Sequence, residues 1–170
     1  GRLSPPFNNN IQHFPVNHWR DEFHILKEFG LACMEWVYEF PNIERNPLHL
    51  PNQCEEIKHI ALQTGIKVNT VVADYFMVSH ILEENASKQR KNLLVLKQLI
   101  NHCALVDIPI VELPFVDSSS LSREQFTELV DVLSPICVFA KDKGIKISFE
   151  TALPPQDFRR LLEMFSPHLI

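Results

Sequence analysis

Four short apolar runs in this 170-residue chain each end in a carboxylate. They are Leu31-Ala32-Cys33-Met34-Glu35, Val71-Val72-Ala73-Asp74, Ile110-Val111-Glu112 and Ile147-Ser148-Phe149-Glu150. Successive acids lie 39, 38 and 38 residues apart. A carboxylate can move a proton as general acid or base, or act as an oxygen ligand to a hard cation. Several of them converging on one small space repel one another and hold protons more tightly, unless a cation neutralises them. Oxygen ligands without thiolates suit Mg²⁺ or Mn²⁺, with Co²⁺ or Zn²⁺ admitted when a histidine joins. A metal beside a carboxylate base fits proton abstraction next to a carbonyl, with an enediolate stabilised by the metal. Any one acid taken alone reads equally well as a solvated rim residue. Glu150 is the strongest, because it follows the alternation Ile145, Ile147, Phe149, with Thr151 beyond it.

Holding four such acids in register requires a repeated unit, and a fixed period of this length marks one. Each unit reads as a buried strand, an acid at its C-terminal end, and an amphipathic helix. The strands are expected at about 31–38, 66–75, 108–113 (ended by Pro114) and 145–150. Helical spacing places Trp19, Phe23, Leu26 and Phe29 on a first helix capped by Asn17 and stopped by Gly30. A second helix begins at Pro51 and stops at Gly65. A third runs from about Ser87 to Val106. A fourth opens on the S-x-x-Q capping box of Ser122 and Gln125, is kinked or broken by Pro135, and ends at Gly144. Phe158, Leu161, Leu162 and Phe165 define a last one.

Strict strand–helix alternation with short connections implies an α/β fold with a parallel sheet, whose strand C-termini carry the chemistry. Equal unit length, and the absence of a G-x-G-x-x-G turn, favour a closed barrel over a dinucleotide-binding sheet. A (β/α)8 barrel takes about 250 residues. The chain has no initiator Met, and Pro167-His168-Leu169-Ile170 resembles the start of another strand. The expectation is a single partial TIM-barrel domain over 1–170, part of a longer protein.

Composition sets the remaining bounds. The chain is 45% hydrophobic and 22% charged, enough for a real core, and its net charge of −5 argues against a nucleic-acid partner. No apolar stretch is long enough to span a membrane, and no signal peptide is visible. Cys33, Cys54, Cys103 and Cys137 lack metal or redox spacing and read as reduced core residues, which points to a cytoplasmic setting. The histidines show no paired metal motif; His59 and His102 are read as surface positions on helices. His80 follows the second strand and is a candidate for the barrel mouth.

Longer segments carry a resemblance. Gly1-Arg2-Leu3-Ser4-Pro5, Phe14-Pro15 with Trp19-Arg20-Asp21-Glu22-Phe23, Met34-Glu35-Trp36, Ala73-Asp74-Tyr75-Phe76-Met77 and Val111-Glu112-Leu113-Pro114-Phe115-Val116-Asp117 are similar to bacterial sugar-phosphate isomerase/epimerases. These belong to the xylose-isomerase-like TIM-barrel superfamily, and the resemblance spans nearly the whole chain. It implies that the visible strands are barrel strands two to five, with strand one and strands six to eight absent. The family's mononuclear metal site takes a Glu, an Asp, a His and a Glu from strands five to eight. Only the first falls here, and it maps onto Glu150, which would be metal ligand and catalytic proton carrier together. Glu112, Asp74 and Glu35 are candidates for substrate hydroxyls, and Arg2 for a substrate phosphate. The implied partner is a small sugar or sugar phosphate, with homo-oligomerisation left open.

Thr151-Ala152-Leu153-Pro154 lacks the second downstream acid of the tagatose-epimerase type, so the substrate class stays open. Two other readings remain. Endonuclease-IV-like relatives repair DNA with three zinc ions, but need histidines where this chain has Asp74 and Glu112. A non-enzymatic truncated barrel acting as a binding module is the other. One ligand of four implies that the isolated chain binds metal weakly and is inactive.

Overall fold

The computed structural model describes residues 3–5 and 13–165. Arg2 and the strand-like run 167–170 lie outside the described residues. The elements are α1 (Trp19–Glu28), β1 (Cys33–Val37), α2 (Pro51–Thr64), β2 (Lys67–Val72), α3 (Tyr75–Val78), α4 (Ala86–Leu105), β3 (Ile110–Phe115), α5 (Phe126–Asp142), β4 (Lys146–Thr151) and α6 (Pro155–Met164), joined by loops and short 3₁₀ turns. The four strands form one sheet in the order β1-β2-β3-β4, every pair parallel. This is the α/β architecture of a partial TIM barrel.

Register decides which side chains share a face. Trp36 pairs with Val71, Val71 with Val111 and Val111 with Ile147, and all four are buried against the helices. Phe23 and Leu26 from α1, Leu96, Leu99 and Ile100 from α4, and Leu129, Leu133 and Ile136 from α5 belong to the same core. Phe14, Trp19 and Phe23 surround the Trp36 ring at 5.0 to 6.5 Å between centroids. Its indole N–H donates to Asn46 Oδ1 at 2.9 Å, which removes the cost of burying it.

The local signals explain most boundaries. Pro51 sits in the first turn of α2, and Gly65 ends it at φ +78°, a left-handed conformation open to glycine without the Cβ clash. The Ser122 N–H donates to Gln125 Oε1 at 2.9 Å, completing the expected box ahead of α5.

Four expectations are corrected. The cap of α1 is His18, and Asn17 instead accepts a hydrogen bond from Arg45. Pro114 does not end β3, which continues to Phe115. The Ala73 N–H donates to the Glu112 carbonyl, and by alternation the N–H that Pro114 lacks would also point toward β2. β2 stops pairing at Val72 opposite Glu112, so no ladder bond is lost there. Pro135 leaves α5 continuous over its 17 residues. It sits on the exposed face, so the carbonyl it deprives of a partner, that of exposed Asp131, opens to water. Cys33 is exposed at the start of β1, whereas Cys54, Cys103 and Cys137 are buried, and all four are free thiols. No described helix is long and apolar enough to cross a membrane.

Candidate functional site

Side chains alternate across a strand, so the residues between the helix-facing positions share the opposite face, the inner wall of a barrel. Three layers result. Glu35, Thr70, Ile110 and Lys146 are in register in the deepest layer. Val37, Val72, Glu112 and Ser148 form the next. At the C-terminal edge lie Pro114 and Glu150, paired across β3 and β4, with Asp74 two residues beyond Val72.

All four periodic acids therefore reach one face, but at different depths. Only Asp74 and Glu150 are at strand ends. Glu35 is the middle residue of β1, and Glu112 is third of six in β3. Their apolar runs resume as Trp36-Val37 and Leu113-Pro114-Phe115 and carry the strands past them.

The acids sense one another. Burial raises the Glu35 carboxyl above its ordinary range, and the Glu150 charge adds to it. Burial likewise raises Glu112, followed by the charges of Glu35 and Glu150. Asp74 is pushed up to about 6, first by burial, then by Glu39, Glu150, Glu35 and Glu112. The pattern is that of like charges gathered in a partly dry space. Glu150 itself is exposed and accepts no hydrogen bond from a described residue.

Glu39 is a fifth acid at this mouth, and it was absent from the sequence expectations. It is 7% exposed and accepts hydrogen bonds from the Phe14 N–H at 2.7 Å and from His13 Nδ1 at 2.8 Å. The step 35, 37, 39 along β1 is the signal that points to it.

His80 is not brought to the carboxylates. Its Nε2 donates to the Met77 carbonyl at 3.0 Å, and its own carbonyl accepts from Asn92 Nδ2 at 2.9 Å. It lines a cavity of about 100 Å³ with Phe76, Phe115 and Ser118, between the loops that follow β2 and β3. None of the three raised carboxyls has His80 among its causes. His102, expected on the surface, is 6% exposed, and its Nδ1 donates to the Leu48 carbonyl at 2.7 Å.

The donor chemistry of the inner face fits a hard divalent cation, because it offers carboxylate oxygens that repel one another without one. Among the described residues no three His, Cys, Asp or Glu side chains come close enough to share an ion. Glu150 is exposed at the edge, and none of the four periodic acids is held by a hydrogen bond from another described residue.

No protein-family model and no curated protein matches the chain. Solved structures do. A xylose isomerase-like TIM-barrel protein from Mycobacterium smegmatis, in complex with magnesium, superposes with a TM-score of 0.64 at 15% identity, over 91% of this chain and 55% of that one. The 3-keto-D-glucoside 4-epimerase of E. coli gives 0.65 at 19% identity, over 88% of this chain and 60% of that one. A D-psicose 3-epimerase in the presence of D-fructose gives 0.70 at 13% identity, over 86% of this chain and 54% of that one. The likeness shows the fold, that of part of a TIM barrel. This chain spans somewhat more than half the length of these structures.

Proposed function

We propose that the chain is part of a divalent-metal-dependent enzyme that isomerises or epimerises a sugar or sugar phosphate, with Glu150 as metal ligand and proton carrier. The observation that carries this reading is the convergence of Glu35, Asp74, Glu112 and Glu150 on one face, each raised carboxyl responding to the charge of Glu150. Two of the solved structures with this fold are sugar epimerases, and another holds magnesium. Because those barrels are longer, the proposal assigns the remaining ligands to the part of the barrel that this chain does not span.

A bound Mn²⁺, Mg²⁺ or Co²⁺, with Glu150 as one of its ligands, would supply a Lewis acid that polarises the substrate's carbonyl. Glu150, open to the mouth, takes the proton from the carbon beside that carbonyl and, for isomerisation, returns it on the same face to the adjacent carbon; inversion at a carbon takes a second acid on the opposite face, which the proposal assigns to the part of the barrel that this chain does not span. Asp74, at about 6, changes protonation near neutral pH and can donate as well as accept a hydrogen bond to a sugar hydroxyl. Glu39, clamped by Phe14 and His13, fixes one lip of the mouth beside it.

The test is the Glu150→Gln variant of the complete protein. Ketose interconversion should fall by about 10²- to 10⁴-fold, and Mn²⁺ affinity should fall with it. An active variant that binds Mn²⁺ as well as wild type would contradict the proposal.

A further inference from the structure

Asp74 opens α3, a helix of only four residues, Tyr75–Val78. One turn of helix does not hold itself in water. Its first half is anchored, since Tyr75 and Phe76 are buried and the Tyr75 N–H donates to the Tyr38 carbonyl at 2.8 Å. Its second half is not held by packing. Val78 is exposed, and the cavity of about 100 Å³ lined by Phe76, His80 and Ser118 lies beside the turn. Three side chains grip the main chain there instead. The Met77 carbonyl accepts from His80 Nε2 at 3.0 Å and from Ser118 Oγ at 2.7 Å. The His80 carbonyl accepts in turn from Asn92 Nδ2 at 2.9 Å. Asn92 is 6% exposed and stands on the buried face of α4 with Leu96, Leu99 and Cys103. An amide in such a slot costs stability unless it is hydrogen-bonded, and this one directs its donor to a loop carbonyl.

We infer that Asn92 and Ser118 are positioning residues: by holding the His80 and Met77 carbonyls they fix α3, and through it the direction of the Asp74 carboxyl at the mouth. This rests on the isomerase reading above, in which Asp74 meets a sugar hydroxyl, and adds the residues that set that contact. His80 belongs to the same chain of bonds, so it acts from behind the mouth and not within it. Asn92 ties the loop after β2 to the helix that follows it, and Ser118 ties it to the loop after β3. The two loops thus form one lip, and a shift in either reaches Asp74.

The experiment uses the complete protein with Mn²⁺ and a panel of ketohexoses and their 6-phosphates. Asn92→Leu continues the apolar face of α4, and Ser118→Ala changes an exposed side chain, so both should fold. Each should lower kcat/KM by about two- to tenfold, the range of one neutral hydrogen bond, mainly through KM. Ser118→Thr, which keeps the hydroxyl, should restore it. In an Asp74→Asn background the Asn92→Leu and Ser118→Ala changes should have little effect, because residues that act through one another are not additive. An equal loss in both backgrounds, or no loss in either, would overturn the assignment. Hydrogen exchange reads the hold on α3 without a substrate. The Met77 N–H, which donates to the Asp74 carbonyl at 3.0 Å, should exchange faster in Asn92→Leu and Ser118→Ala than in wild type. Unchanged exchange would overturn the assignment whatever the protein turns over. Faster exchange with no turnover of any sugar would uphold the hold on α3 and overturn the isomerase reading.

Discussion

At the scale of single residues, Asp74 is the carboxyl whose ionisation the fold opposes most clearly. Its value of about 6 lies above the ordinary 3.8. Between those values the folded state binds more protons than the unfolded one, so stability falls as pH rises through this window and is level above it. Glu35 and Glu112, raised in the same direction, contribute with the same sign. Asp74→Asn should therefore stabilise the chain at pH 7.5 by on the order of 1 kcal/mol, after discounting for partial exposure, and hardly at all at pH 3.5. Urea titrations at the two pH values measure it. A variant equally or less stable than wild type at pH 7.5 would contradict the crowding of charge described here. The four acids were legible in the sequence because a strict period repeats the same place in each unit. Glu39 was missed and His80 was misplaced because they follow the strands, where position depends on the course of a loop. His102 was misread because its partner, the Leu48 carbonyl, is 54 residues away in sequence.

Among the elements, the order of strands and helices was legible from apolar periodicity and from glycine and proline punctuation. Strand ends were less so, since a parallel strand stops where its neighbours stop pairing, as β3 does beyond Phe115. Pro135 was expected to kink or break a helix; it does not break α5, because the exposed face it occupies leaves the freed carbonyl to water. Pro135→Ala should accordingly raise stability by about 1–2 kcal/mol, the recovered helix propensity being offset by a freer unfolded chain. Thermal melts with loss of stability would place a packing role on that proline. Gly65→Ala is expected to cost about 1 kcal/mol although nothing lies within 4 Å of the added Cβ, because its φ of +78° is left-handed. An unchanged urea midpoint for that variant would show that the turn relaxes freely.

For the molecule as a whole, the inner face supplies charge in excess of its coordination. No three metal-binding side chains meet among the described residues, and the solved barrels with this fold are longer than this chain. Calorimetric titration of the 170-residue chain with Mn²⁺ should accordingly show no stoichiometric binding at micromolar concentrations. Tight one-to-one binding would show that the site is complete within it. The sequence could suggest which strand end bears a ligand, but not whether neighbouring carboxylates meet at bonding distance, which the tilt of each strand decides. The claim on which the rest depends is that Glu150 moves a proton at carbon. Deuterium uptake from heavy water into the substrate's carbon–hydrogen bond, followed by NMR in the complete protein, reports that step alone. Wild type should incorporate deuterium beside the carbonyl and Glu150→Gln should not; incorporation at an undiminished rate in Glu150→Gln would contradict the account.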